Sequence, residues 1–291
     1  MKRVLLVLFS FTILFQFSLV AESKIVFDIR SDFPGQNPWV KKLLKQSAKF
    51  LDENLASESA KVPRKIIVTI KKDPKSRGIS GNANGYNNSI NFKSSSWPKD
   101  KYREWILVHE LVNLLTSYYG SKAYPSDWWA NGRSPFPIYI SSIVLSNLGY
   151  KHGAKWTYTL HRDQLDQQFF WKLHNKYGIE LFKKFFTLLQ TDGVDLKKIG
   201  KSWPHPDKVR SAYALSYLSL AAGVNLAPLA IKHNIGKKPS DWHKRHPRIP
   251  FKNYKVTSKN VKTIINLREQ LLYNNKGTKK DRKNFKRETV K

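Results

Sequence analysis

Hydrophobic and polar residues alternate in three short segments of the first ninety positions. Lys24–Arg30 places isoleucine and phenylalanine at every second position, and the same period recurs in Lys65–Lys71 and Ser89–Lys93. A period of two puts the apolar side chains on one face of a half-buried strand. The Gly- and Asn-rich stretch Gly78–Asn88, which lies before the last of these segments, predicts a turn region. We therefore predict three strands.

The pattern changes to a helical period in the segment after Pro38 and in most of the chain beyond position 100. Pro38 is placed to begin a helix that extends to about Leu55. Further helices are predicted at 101–119, 136–149, 163–176, 178–190, 207–222 and 225–234. Strands followed by helices predict an α+β fold, in which a small N-terminal mixed or antiparallel sheet precedes a mostly helical region.

The predicted helix at 101–119 contains an unusual group of polar residues. Between Trp105 and Leu115 the only polar side chains are those of His109, Glu110 and Asn113. At roughly 100° per residue they lie at about 0°, 100° and 40°, so they share one arc of an otherwise apolar helix. A helix of this composition is buried on nearly all sides. The trio therefore either forms a buried hydrogen-bond network or lines a site.

These residues, together with Trp128-Trp129-Ala130-Asn131-Gly132, give the chain a resemblance to the gluzincin metallopeptidases. In that family a His-Glu-x-x-His motif holds zinc, and a Glu within a Trp-x-x-Glu-Gly context on the next helix supplies the third ligand. The resemblance implies a zincin-like domain over 22–250, with the short strand near Ile90 as the edge strand that holds an extended peptide. His109 then matches the first ligand position, and Glu110 matches the general base.

The chain departs from the gluzincin motif at both remaining ligand positions. Asn113 stands in place of the second ligand and Asn131 in place of the third. Catalytic zinc needs three protein ligands and an open position, where its bound water reaches a pKa of about 7. An amide oxygen is a neutral and weak zinc ligand. We therefore predict that no cofactor is bound, that zinc would be bound only if the protein were active, and that Glu110 has no activated water to use.

Two alternatives to a decayed metal site remain at this point. The amides of Asn113 and Asn131 could hydrogen-bond His109 and Glu110 in a purely structural network. An active zinc peptidase could use His109 and Glu110 with unconventional ligands. The adjacent Trp128 and Trp129 are candidate binding residues, although tryptophan next to glycine and proline is more often part of the packed core.

The two ends of the chain predict export and a basic tail. Lys2 and Arg3 precede an apolar run that ends at Ala21, as in a secretory signal peptide over 1–21, with an uncleaved anchor as the alternative. Export predicts a secreted or periplasmic location. Residues 251–291 are rich in lysine and arginine, and we predict a partly disordered tail there.

The chain carries 52 basic and 21 acidic residues, a formal net charge of +31, and no cysteine. The absence of cysteine excludes thiol catalysis, disulfides and cysteine-bound zinc. The charge favours anionic glycans or a membrane surface as partners, unless it mainly reflects solubility and coding bias. No nucleic-acid motif is present, so no specific nucleic-acid partner is predicted.

Taken together, the residues predict a secreted, metallopeptidase-like protein that is catalytically inactive and acts by binding a peptide or protein in the old substrate cleft. An active zinc metallopeptidase with atypical ligands is the first alternative. A basic surface module that binds anionic glycans or lipids is the second.

Overall fold

The computed structural model describes residues 24–121, 135–155, 165–197, 206–224, 226–233 and 235. Its strands are β1 (Val26–Ser31), β2 (Lys65–Lys72), β3 (Ile79–Asn84) and β4 (Ser89–Ser94). Its α-helices are α1 (Asn37–Leu55), α2 (Arg103–Thr116), α3 (Pro135–Asn147), α4 (Leu165–Tyr177), α5 (Glu180–Thr191), α6 (Pro206–Ala222) and α7 (Ala227–Lys232). The predicted signal peptide and basic tail lie outside the described residues.

The four strands form one mixed sheet with the order β1-β2-β4-β3. β2 pairs in parallel with β1 and β4, whereas β3 runs antiparallel to β4 at the edge. The parallel connection from β1 to β2 is made by α1, which is long enough to return the chain to the start of the sheet. The prediction of an α+β fold with a small mixed sheet followed by helices is therefore confirmed.

Two predictions about the sheet are wrong, and they have one cause. The segment 79–84, which we assigned to a turn region, is the strand β3, and the turn is confined to residues 85–88. As a result the strand near Ile90 is not the edge strand, because β4 is paired on both sides. β3 has the sequence Ile-Ser-Gly-Asn-Ala-Asn, in which one isoleucine is the sole large apolar side chain. Its pairing with β4 and its packing on α2 hold it in place.

The main core lies between the sheet and the helices. Ile66, Val68 and Ile70 of β2 are fully buried, and the apolar side of α1, including Leu43, Leu44 and Leu51, packs with them in one cluster. α1 contacts β1, α2 and α5, and α2 contacts α1, α3 and β3. α2 is therefore surrounded by other elements, which explains why its sequence is apolar on nearly all sides.

The remaining helices agree closely with the predicted segments. α3 begins at Pro135, whose lack of an amide hydrogen costs nothing in the first turn of a helix. An aromatic cluster centred on Phe136 and Tyr139 of α3 joins α4 and α5, with Phe136 stacking edge-on to Phe170 at 5.4 Å between ring centroids. Among the described helices, none combines the length and the apolar character needed to cross a bilayer.

Candidate functional site

The polar trio of α2 is buried, as its helical spacing predicts. His109 and Asn113 each retain 8% of their maximal exposure and Glu110 retains 6%. Residues three and four positions apart on a helix are neighbours, so Asn113 can reach Glu110. Its Nδ2 donates a hydrogen bond of 3.3 Å to Oε2 of Glu110. The possible hydrogen bond between the Asn113 amide and the Glu110 carboxylate is therefore present in the structure.

Glu110 also reaches the edge of the sheet. Its carboxylate accepts a hydrogen bond from the backbone of Ala83 in β3, in addition to the bond from Asn113. Neither donor is charged, and within the described part of the chain no lysine or arginine forms an ion pair with Glu110. Burial therefore dominates and raises the pKa of the Glu110 carboxyl from 4.5 to about 7, against the opposing effect of these two hydrogen bonds.

His109 lies against an aromatic side chain on the preceding turn of the helix. The rings of Trp105 and His109 are 5.1 Å apart between centroids and tilted by 53°. Trp105 itself is half-buried, so the pair lies near the surface end of the buried trio. This packing restricts the orientation of the imidazole.

Gly81 of β3 allows the edge strand to approach Glu110. A Cβ added at Gly81 would lie 3.0 Å from Cγ of Glu110 and 2.9 Å from Cε1 of Phe92. Glycine within a strand is a signal of close backbone approach, and it was available in the sequence although we assigned the segment to a turn. Gly81 and Ala83 are thus the site residues that the sequence analysis missed.

The turn after β3 is fastened to the end of α2. The hydroxyl of Tyr118, just beyond the helix, donates to the carbonyl of Gly85 at 3.0 Å and also bonds Oδ1 of Asn88. Asn88 has a left-handed backbone conformation with φ of 50°, which asparagine tolerates better than most residues. The hairpin is thereby held beside α2, and β3 forms one wall of the site.

We expect Gly81→Val to lower the free energy of unfolding by about 1–3 kcal/mol, because the new side chain overlaps Phe92 and Glu110. Valine otherwise favours strands, so local propensity predicts the opposite sign. Urea denaturation measures the difference, and Ser80→Val on the exposed face of the same strand is the matched control. A Gly81→Val protein as stable as the wild type would contradict the close approach.

The donor atoms of His109 and Asn113, the two ligand positions that the structure describes, are too few and too weak to hold zinc by themselves. Asn113 commits its Nδ2 to Glu110, and its neutral Oδ1 is a poor replacement for the imidazole that zinc prefers. Within the described ranges, no three His, Cys, Asp or Glu side chains are placed together to hold a metal ion. Oδ1 of Asn113 is instead a buried acceptor with no hydrogen-bond partner among the described residues.

Three of the predicted site residues, Trp128, Trp129 and Asn131, lie outside the described residues. Outside the trio, His174 packs in the aromatic cluster of α3 and α4. His174 on α4 forms a 2.7 Å hydrogen bond through Nδ1 with the hydroxyl of Tyr139. Burial lowers the pKa of the His174 imidazole.

The site therefore consists of a buried His–Glu–Asn trio on α2 and the small residues of the edge strand β3. A carboxyl whose pKa is about 7 can donate or accept a proton near neutral pH.

No family model matches the sequence, and no curated protein or solved structure matches the chain.

Proposed function

We propose that the protein is an exported, catalytically inactive relative of the gluzincin metallopeptidases that binds an extended polypeptide between β3 and α2. The hydrogen bonding of the Asn113 side-chain amide is the observation that supports this function most directly. Its amide nitrogen is bonded to Glu110, and its amide oxygen is buried without a partner among the described residues. A buried acceptor in this state costs about 1–3 kcal/mol. A backbone N–H of a peptide would remove that cost if binding opened the site, since Oδ1 is closed to solvent in the free protein.

The position of the edge strand supports the same proposal. β3 is paired on one side only, by β4. An edge strand offers backbone donors and acceptors to an incoming extended chain, which adds to the sheet as a further strand. Because Ala83 of this strand is already bonded to Glu110, a peptide on this edge would lie directly beside the trio.

The side chains at the zinc-ligand positions make hydrolysis unfavourable. Peptide hydrolysis by this type of site needs a metal-activated water, and Asn113 and Asn131 replace two of the three zinc ligands of the gluzincin motif. Glu110 alone would have to activate ordinary water, which is a poor nucleophile for an amide. We therefore propose that the site binds a polypeptide without cleaving it.

Reduced and alkylated casein, which is extended in solution, is a suitable probe because binding and cleavage can be measured on the same sample. We expect the protein to bind it without cutting it, with or without added zinc. Asn113→Leu should weaken binding about tenfold through loss of the amide oxygen as an acceptor. Fluorescence anisotropy measures affinity, and gel electrophoresis detects fragments.

Asn147→Leu is the matched control, since Asn147 of α3 donates a hydrogen bond to the carbonyl of Ile143 within its own helix and bonds no side chain among the described residues. It should leave casein affinity unchanged. Zinc-dependent cleavage that is lost in Glu110→Gln would establish the active peptidase instead. Equal loss of binding in Asn113→Leu and Asn147→Leu, or no binding by the wild type, would overturn the proposed cleft.

A further inference from the structure

The sheet has a second face, which points away from α1 and α2. The buried residues Phe27, Ile66, Val68, Ile70, Ile90 and Phe92 lie on the side that faces the helices. Residues one position away along the strands, which pair with one another in register, therefore share the opposite side of the sheet. We call this side the outer sheet face. Its members are Val26, Asp28, Arg30, Lys65, Ile67, Thr69, Lys71, Ser80, Asn82, Asn84, Asn91 and Lys93.

The charges on the outer sheet face are unevenly balanced. Asp28, the one acid among these residues, forms ion pairs of 3.0 Å with both Arg30 and Lys65 at the β1 side. These hydrogen-bonded cations keep the pKa of the Asp28 carboxyl below its ordinary value. Lys71 of β2 and Lys93 of β4, in contrast, form no ion pair with an acid among the described residues.

Lys71 and Lys93 are direct partners in the parallel pairing of β2 with β4, and both are exposed. Like charges placed directly opposite each other on neighbouring strands are destabilising. An anion bound between them would remove the repulsion. Ser80 of β3 is the register partner of Lys93, so a hydroxyl lies next to the lysine pair.

A row of uncharged polar side chains crosses the sheet one step from the lysine pair. Thr69 of β2, Asn91 of β4 and Asn82 of β3 follow one another in register. With strands about 4.8 Å apart, the row extends roughly 10 Å across three strands. Amides and hydroxyls in this arrangement can both donate to and accept from the hydroxyl groups of a sugar chain.

We propose that the outer sheet face binds an acidic polysaccharide, whose carboxylate, sulfate or phosphate groups lie at Lys71 and Lys93 and whose hydroxyl groups lie along the Thr69–Asn91–Asn82 row. The positive charges of Lys71 and Lys93 favour an anionic ligand. The row of amide and hydroxyl side chains favours a glycan, rather than a bilayer, as that ligand. A bilayer-docking face would present several large apolar side chains for insertion, whereas this face has Val26 and half-buried Ile67 near β1 and only polar or charged side chains around the lysine pair. This site is distinct from the proposed peptide cleft, which lies at the open edge of β3 beside α2.

The experiment compares binding of two acidic probes, a dextran sulfate oligosaccharide and an oligogalacturonate, with binding of neutral dextran by isothermal titration calorimetry. We expect at least one acidic probe to bind, with an affinity that falls as salt is added. Lys71→Gln with Lys93→Gln should weaken that binding about fivefold to tenfold. Lys41→Gln with Lys42→Gln, two exposed lysines on α1, removes the same charge elsewhere and should have little effect.

A second variant distinguishes glycan binding from membrane binding. Asn82→Ala with Asn91→Ala should also weaken glycan binding, because it removes hydrogen bonds without changing charge. Backbone amide shifts of β2, β3 and β4 in the wild-type NMR spectrum should change on titration, which locates the site even if a variant unfolds. The proposal is overturned if neither acidic probe binds, or if both lysine pairs matter equally. It is also overturned if the asparagine variant is unaffected while phosphatidylglycerol vesicles bind.

Discussion

If the proposed relation to the gluzincins is right, Asn113→His together with Asn131→Glu is expected to produce a protein that binds one zinc ion. The variant would combine a second imidazole, one helical turn from His109, with an anionic third ligand. It also removes the hydrogen bond from Asn113 to Glu110, which frees the carboxylate for its role in the gluzincin motif. Because metal binds only the folded chain, a zinc concentration of about 1,000 times Kd would stabilise the variant by about 4 kcal/mol.

Metal content by mass spectrometry and thermal unfolding with and without zinc measure this result. The matched control, Asn113→Gln with Asn131→Gln, changes the same positions but supplies no zinc ligand, so it should remain metal-free. Each single variant should bind zinc far more weakly than the double variant, since two ligands do not hold the ion. A double variant that folds but binds no zinc would refute the gluzincin resemblance.

Glu110→Gln is expected to stabilise the protein above neutral pH. Burial raises the pKa of Glu110 from 4.5 to about 7, so between these values the folded protein keeps a proton that the unfolded chain has released. Stability therefore falls as the pH rises through this window, and the shift corresponds to about 3 kcal/mol. Glutamine cannot ionise, and its amide oxygen can still accept the bond from Ala83. The variant should match the wild type below pH 4.5 and exceed it above pH 7.

Urea denaturation across this pH range gives the difference between the two proteins. Glu53→Gln on α1 is the control, because the Glu53 side chain is 59% exposed and remains solvated by water. It should leave the pH dependence of the wild type intact. If Glu110→Gln and the wild type lose stability in parallel as the pH rises, the carboxylate has a stabilising partner that offsets its burial.

Helical spacing alone predicts part of the site but not all of it. The positions of His109, Glu110 and Asn113 along one apolar helix predicted that they are buried together, and the structure confirms their burial. The hydrogen bond from Asn113 to Glu110 follows from the same spacing. The backbone contact of Glu110 with Ala83 does not, because the two residues are 27 positions apart and meet only when the sheet packs on α2.

β3 shows why the other wall of the site could not be predicted. A strand is recognised in a sequence by large apolar side chains at every second position. On the inner side of β3 these positions include Gly81 and Ala83, where a larger residue at Gly81 would overlap Glu110 and Phe92. Because the site requires small residues at these positions, β3 lacks the alternating large apolar side chains by which a strand is recognised in a sequence.

The sequence by itself determined the α+β order of the elements and the grouping of the three polar residues on α2, since both depend on periodicities within single segments. Tertiary structure alone decided that β3 is the edge strand, that Glu110 lies against its backbone, and that Lys71 and Lys93 become neighbours across β2 and β4. Those features depend on the pairing of strands from distant parts of the chain. Such pairing is set by packing against α2 and the rest of the core, not by the residues of one segment.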